Sequence, residues 1–304
     1  MDKKSSTLPI LKMQRFSTHD GPGIRTTVFI KGCPLKCLWC HNPESQSRKP
    51  NLFYTPSLCI GCGRCVTACP QKAHGFENGT HNFKRELCLR CLECINVCPS
   101  GALELDYAET DMQKIVEEIK KDQVFYGKKG GVTLSGGEPL LYTEKALTLL
   151  KLCKDEGICT AVETSGYFGG KYVPALVETV DLFLWDVKDC VATRHERNTG
   201  VSNQKIFENL FKVDELGGKT ILKCILLNGV NTDENHLNGV AELYSRLKHC
   251  LGVEIFSYHH YGVGKYEAIG KEYYGKKEWI VSKMELKNYQ KYLKERGVKC
   301  KISE

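Results

Sequence analysis

The stretch Thr26-Thr-Val-Phe-Ile-Lys31, running straight into Gly32-Cys33-Pro-Leu-Lys-Cys37-Leu-Trp-Cys40-His-Asn-Pro43, decides how the rest of the chain is read. Its first half is β-branched and apolar, the composition of a buried strand. Its second half sets three cysteines in a C-x3-C-x2-C loop at the strand's carboxyl end. A cluster held by three thiolates has one iron without a protein ligand, and an open coordination position marks a reactive rather than a structural site. Trp39 puts an aromatic edge beside that loop.

The whole chain has 304 residues, 41% hydrophobic and 26% charged, with 17 cysteines and a net charge of +7. This composition excludes collagen-like, disordered and coiled-coil classes. No apolar run approaches the roughly 18 residues of a spanning helix, and Met1-Asp-Lys-Lys-Ser-Ser has no apolar signal core. A cytoplasmic protein with reduced thiols is therefore expected, with no membrane partner, and its cysteines point to metal or cluster ligation. The basic excess gathers near the C-terminus, much of it on a helix over 283–296, where a solvated face explains it. No basic-aromatic groove accompanies it, so no nucleic-acid partner is expected.

Two more cysteine groups follow the trio. Cys59, Cys62, Cys65 and Cys69 form C-x2-C-x2-C-x3-C before Pro70, and Cys88, Cys91, Cys94 and Cys98 repeat it 29 residues later before Pro99. This duplication resembles a two-cluster bacterial ferredoxin, in which the fourth cysteine of each run reaches the other cluster. The resemblance implies one [4Fe–4S] cluster on Cys59, Cys62, Cys65 and Cys98, and a second on Cys88, Cys91, Cys94 and Cys69. Zinc usually takes two separated C-x2-C pairs and fits less well. The other six cysteines sit in apolar periodic stretches and read as small buried hydrophobes.

Beyond the insert, strands and helices alternate. A helix over 111–126 carries Met112, Ile115, Val116 and Ile119 on one stripe. Strands are expected at 132–134, 158–163, 181–187, 220–227, 253–258 and 298–302. Helices are expected at 144–156, 173–179, 203–216 with Ser202 as N-cap, 233–248, and 283–296 with a Ser282/Glu285 capping box. Repeated βα units imply an α/β fold with a parallel sheet curled into a partial (β/α) barrel. The expected domains are 1–53 and 107–304 for the barrel and 54–106 for the ferredoxin-like insert. Polar groups follow the strands at Ser135-Gly-Gly-Glu-Pro139, Glu163-Thr-Ser-Gly166, Asp186-Val-Lys188, Asn228-Gly229 and Tyr258-His-His260. In a barrel these converge with the trio on one mouth.

The trio, Gly136-Gly-Glu-Pro139, Thr18-His-Asp-Gly-Pro-Gly-Ile-Arg-Thr26 and His41-Asn-Pro-Glu44 together resemble the glycyl radical enzyme activating enzymes of the radical S-adenosylmethionine superfamily. The resemblance implies three [4Fe–4S] clusters in all, and S-adenosylmethionine bound at the free iron of the trio's cluster. Cleavage of its S–C5′ bond gives methionine and a 5′-deoxyadenosyl radical, which takes hydrogen from a backbone glycine of a partner glycyl radical enzyme. A flavodoxin or ferredoxin is the implied electron donor.

Carried over by residue, Cys33, Cys37 and Cys40 hold the reactive cluster. Gly136, Gly137 and Glu138 belong to the methionyl side, Lys188 of Asp186-Val-Lys188 pairs with its carboxylate, and His259 contacts the cofactor. Trp39 and His41 flank the adenine. Glu163 and Asp186 stand where relatives hold a monovalent cation. Two departures stand out: Lys223 where one relative has arginine, and Glu163 where it has a shorter aspartate. Taken alone, Gly136-Gly137 reads as a strand-to-helix turn and Asp186 with Lys188 as a surface pair. A radical enzyme acting on a peptide or small molecule, and an iron–sulfur electron carrier, are the alternative functions. A carrier needs neither a three-cysteine site nor a barrel.

Overall fold

A computed structural model describes residues 6–303; Met1–Ser5 of the stretch read for a signal core lie outside them. In chain order the strands are β1 (Thr7–Ser17), β2 (Arg25–Ile30), β3 (Leu52–Tyr54), β4 (His74–Glu77), β5 (Thr80–Phe83), β6 (Leu103–Leu105), β7 (Ala108–Asp111), β8 (Gly131–Gly136), β9 (Cys159–Thr164), β10 (Leu182–Asp186), β11 (Thr220–Leu226), β12 (Cys250–Ser257) and β13 (Cys300–Ile302). Nine of them form one mixed sheet in the order β13-β12-β11-β10-β9-β8-β2-β1-β7. Neighbours from β2 to β13 are parallel, while β1 runs antiparallel to both β2 and β7. From β8 to β13 spatial order follows chain order. Crossovers of one hand then lay the long crossover helices on one face, the winding of a barrel rather than of a doubly wound sheet. Among the described residues β7 and β13 remain as separate edges, so the barrel is partial.

The helices fall where apolar periodicity puts them, at Thr143–Asp155, Val173–Thr179, Gln204–Glu215, Glu234–Arg246 and Lys283–Glu295. Their inward residues join the outer face of the sheet in one core that includes Ile115, Leu150, Leu210, Val240 and Leu293. Each such side chain contributes about 1.5–3 kcal/mol on burial. A smaller cluster of Ala161, Leu182 and Leu184 fills the concave face. Loop 18–24 crosses that face: Thr133 Oγ1 donates to Asp20 O (2.7 Å) and Lys223 Nζ to His19 O (3.2 Å).

Three features differ from the sequence expectation. The helix over 111–126 is two helices, Met112–Lys120 and Gln123–Tyr126, parted at Asp122, which is fully buried and taken by Arg15 and Thr26 Oγ1 (2.9 Å). The helix Ala192–Thr199 was not expected, because the side chains it buries, His195, Asn198 and Thr199, are polar and leave no apolar stripe. Its successor has Asn203 at the N-cap position with no side-chain cap bond, and the capping contact comes from Ser202 as expected. Asn203 is buried, its Nδ2 donating to Asp189 O (3.1 Å), while Ser202 Oγ accepts from Gln204 N–H (3.2 Å). Strand β1 went unread because Pro9 interrupts its pattern. The carbonyl of Pro9 nonetheless accepts from Lys31 N–H (2.9 Å).

Between β2 and β7 the chain makes an excursion that holds the β4–β5 hairpin, the short helices Arg64–Ala68 and Glu93–Asn96, and a β3–β6 pair at its base. No helix among the described residues is long and apolar enough to cross a membrane.

Candidate active site

The cysteine trio leaves the carboxyl end of β2 and is pinned by its backbone. Gly32 N–H donates to Ser45 O (2.7 Å), Lys36 N–H to Thr199 O (2.7 Å) and Leu38 N–H to Asn198 O (3.1 Å). The unexpected helix 192–199 therefore has a purpose: its last carbonyls hold the loop of the trio. Trp39 is 4% exposed and packs on Leu227 and Tyr258, so it anchors the loop from below. Burial pushes the Cys33 thiol well up, Cys37 to about 12, and Cys40 up. Thiols so disfavoured as bare anions become thiolates when a metal supplies the positive charge, so this donor set fits a thiolate-bound cluster.

The ends of β8 to β11 meet beside the trio. A Cβ on Gly136 would collide with the Ile30 backbone, and one on Gly137 with Gly32 O, so this dipeptide lets the β8 end lie against the approach to Cys33. Glu138 is fully buried. Its carboxylate accepts from Thr164 Oγ1 (2.7 Å), Ser165 N–H (2.9 Å), Ser165 Oγ (2.5 Å) and Leu140 N–H (3.1 Å). Glu138 thus braces two strand-end loops, with both oxygens engaged.

Glu163, Asp186, Lys188 and Lys223 form one charge cluster. Lys223 Nζ lies 2.7 Å from Glu163, and Lys188 Nζ 2.9 Å from Asp186. Burial works to raise Glu163, yet Lys223 and the Ser135 hydroxyl (2.6 Å) hold its pKa below the ordinary value. Asp186 is raised by burial, with Glu163 adding to it. Lys188 and Lys223 are both raised: burial opposes their charge, but Asp186 and Glu163 respectively outweigh it. Each carboxylate read as a cation ligand thus already faces an ammonium.

His259 is exposed, its ring edge-on to His41 at 4.5 Å. Burial holds His41 down to about 4, and its Nδ1 is buried with no hydrogen-bond partner. An orphaned buried nitrogen beside the trio is what a ligand contact leaves when the ligand is not counted. His260 faces the Tyr258 hydroxyl through its Nδ1 at 2.8 Å. Beyond it opens a cavity of about 1160 Å³, lined by His19, Asp20, Lys223, Phe256, His259 and Leu286 among others. Ser135, His19 and Asp20 were quoted in motifs but not assigned to the site. Their only sequence signal was position, just after or before a strand.

In the excursion, cysteines of the two runs lie near one another across the repeat. Cys59, Cys62, Cys65 and Cys98 line one small cavity. Burial pushes the Cys94 thiol up to about 11, and Cys88, Cys91 and Cys69 lie near enough to add to it. Both groupings cross the repeat through the fourth cysteine of each run. Four cysteines to each grouping is the donor set that a cubane takes.

A family model for a 4Fe-4S single cluster domain matches residues 19–207. The chain is 43% identical to the choline trimethylamine-lyase activating enzyme of Oleidesulfovibrio alaskensis, over 87% of each chain. It is 38% identical to the trans-4-hydroxy-L-proline dehydratase activating enzyme of Clostridioides difficile, over 96% of this chain and 98% of that one. The chain belongs to the glycyl radical enzyme activating enzymes. As a member of that family it is a radical S-adenosylmethionine enzyme that uses a 4Fe–4S cluster and acts on a glycyl radical enzyme. Among solved structures, Streptococcus suis SuiB bound to precursor peptide SuiA aligns with a TM-score of 0.55. The alignment covers 90% of this chain and 46% of that one at 11% identity, a likeness of fold alone.

Proposed function

We propose that Cys33, Cys37 and Cys40 hold the catalytic [4Fe–4S] cluster of this activating enzyme, and that the insert's two tetrads hold two more. When bound, the trio's cluster supplies the electron that cleaves S-adenosylmethionine to methionine and a 5′-deoxyadenosyl radical, which takes hydrogen from the partner's backbone glycine. The observation that carries this reading is the meeting of three half-buried thiols, an orphaned His41 Nδ1 and the Lys188–Asp186 pair at the strand ends.

Each residue then has a task. Lys188, a charged donor beside Asp186, offers its ammonium to the methionyl carboxylate. Glu163 is kept ionised by Lys223 and Ser135 and stands ready to accept from the cofactor's donors. Since Lys223 and Lys188 bring positive charge to Glu163 and Asp186, we assign to them the part that a monovalent cation would play. His41 and His259 close the adenine side, and Trp39, packed on Tyr258, ties together the two loops they sit on. Gly136 and Gly137 bring the β8 end to the methionyl side, and Glu138 braces it. The large cavity on the β11–β12 side admits the partner's glycine-bearing segment. The eight insert cysteines would hold two further clusters, whose chemistry would be one-electron transfer from a flavodoxin or ferredoxin in the cytoplasm toward the trio.

Anaerobic reconstitution with iron and sulfide, followed by S-adenosylmethionine and dithionite, tests the reading. About twelve irons per chain are expected, four for each cluster, with 5′-deoxyadenosine formed by the wild type and lost in Cys37→Ser. Formation undiminished in Cys37→Ser would overturn the trio's role, and about four irons would overturn the insert's.

A further inference from the structure

Two histidines in the insert have no part in the mechanism, and both are buried: His74 is 4% exposed and His81 8%. They face each other across the β4–β5 hairpin, with His74 Nδ1 3.1 Å from His81 Nε2. The same His81 Nε2 lies 3.5 Å from Cys65 Sγ. Their rings are held in place, His81 against Tyr54 edge-on at 4.6 Å and His74 stacked on Phe83 at 4.5 Å. His81 Nδ1 is buried and has no partner.

These contacts decide where the proton of a neutral His81 sits. A buried N–H without an acceptor is rarer and costlier than a buried bare nitrogen. Nδ1, which has no partner, is therefore the bare nitrogen, and Nε2 carries the hydrogen. That hydrogen has two acceptors in reach, His74 Nδ1 and Cys65 Sγ, and it forks between them. A donor aimed at a cluster sulfur withdraws electron density and makes the added electron less costly, which raises the reduction potential. The other tetrad receives, among the described residues, backbone donors only: Ala73 N–H to Cys69 Sγ (3.3 Å) and Arg90 N–H to Cys88 Sγ (3.4 Å).

We infer that His81 is a positioning residue for electron transfer: its Nε2–H, shared with His74, hydrogen-bonds Cys65 Sγ and raises the potential of the cluster on Cys59, Cys62, Cys65 and Cys98. The inference rests on the reading of the insert as a two-cluster unit. It gives His74 a distinct role, drawing part of that hydrogen bond away from the sulfur.

The test is a potentiometric titration followed by electron paramagnetic resonance, on the full chain reconstituted with all its clusters. His81→Phe is expected to lower the midpoint potential of one insert cluster while the trio's cluster stays unchanged. His81→Gln, which keeps an N–H donor, is expected to restore part of the shift. His74→Phe sends the whole hydrogen bond to sulfur and is expected to move the same cluster in the opposite direction, upward. A rescue by Gln together with opposite shifts for the two histidines is beyond what a packing role produces. Potentials indifferent to His81→Phe, or equal shifts in both Phe variants, overturn the inference. The donor atoms of Cys65, His74 and His81 lie within 4.8 Å of one another, a spacing that a single metal ion also accepts. One zinc per chain in place of that cluster overturns it as well. Wild-type iron near four per chain would instead sink the two-cluster reading itself, before any histidine is changed.

Discussion

Glu138 and Glu163 show how one residue type serves two ends within a few ångströms of the same mouth. Glu138 spends both oxygens on its own scaffold, and its burial raises its pKa against the hydrogen bonds that lower it. Removing it strands Thr164 and Ser165 without their acceptor. Glu138→Ala is expected to cost roughly 3 kcal/mol in anaerobic urea unfolding, as buried unsatisfied groups do; a loss below about 1 kcal/mol would show that water replaces the carboxylate. Glu163 stays ionised because Lys223 is beside it. Lys223→Met should let burial raise Glu163, so that S-adenosylmethionine binding weakens more steeply as pH falls from about 8 to 6. Lys223→Arg keeps the charge and should not show that steepening. Equilibrium dialysis at the two pH values checks both variants, and parallel profiles for wild type and Lys223→Met would refute the argument.

Among the elements, local rules worked where one segment carries its own signal. The capping box of helix 283–295 is present as read, with Ser282 N–H donating to Glu285 Oε2 (2.8 Å) and Glu285 N–H to Ser282 Oγ (3.3 Å). Those rules fail at Asp122, where Arg15, more than a hundred residues earlier, ends a helix that its own periodicity would continue. The joint between insert and barrel is likewise a long-range contact. Lys31, at the end of β2, forms a fully buried ion pair with Asp106, which also accepts from Asn51 N–H (3.0 Å) and Asn51 Nδ2 (2.7 Å). The two ends of the excursion are thus tied to the residue two before Cys33. Asp106→Ala leaves a buried ammonium unpaired and should cost about 3–5 kcal/mol, most of it recovered in Lys31→Met/Asp106→Leu. The comparison is made by anaerobic denaturant titration. A double variant no more stable than the single one would refute the pairing account.

For the whole molecule, a buried neutral histidine sets a pH window. His236 is fully buried, accepts from Cys190 N–H at Nδ1 (3.1 Å), and burial holds it down to about 4 against an ordinary 6.5. Between those values the unfolded chain binds the proton and the folded one does not. Its stability is therefore complete above pH 6.5 and declines as pH falls toward 4, by about 1.4 kcal/mol per pH unit for one group. His236→Gln should flatten the stability profile by that one-proton slope across the window, measured by urea unfolding at a series of pH values. An unchanged slope would mean that the ring titrates normally in the folded state.

Much of this molecule was legible from its residues in order. Three cysteine groups, the alternation of strands and helices, and the polar strand ends all depend on spacing within one segment, and covalent geometry carries such spacing directly. Charge partners do not work that way. Glu163, Asp186 and Lys223 lie on three successive strands, and parallel register alone puts Asp186 level with Lys223 and Leu184 level with Glu163. The inward turn of Glu138, the polar helix that holds the trio, and β1 with its proline rest in the same way on partners distant along the chain. Segment identity is local, so the sequence determined it; which buried charges meet is a property of the packed sheet, and only the tertiary structure decided it.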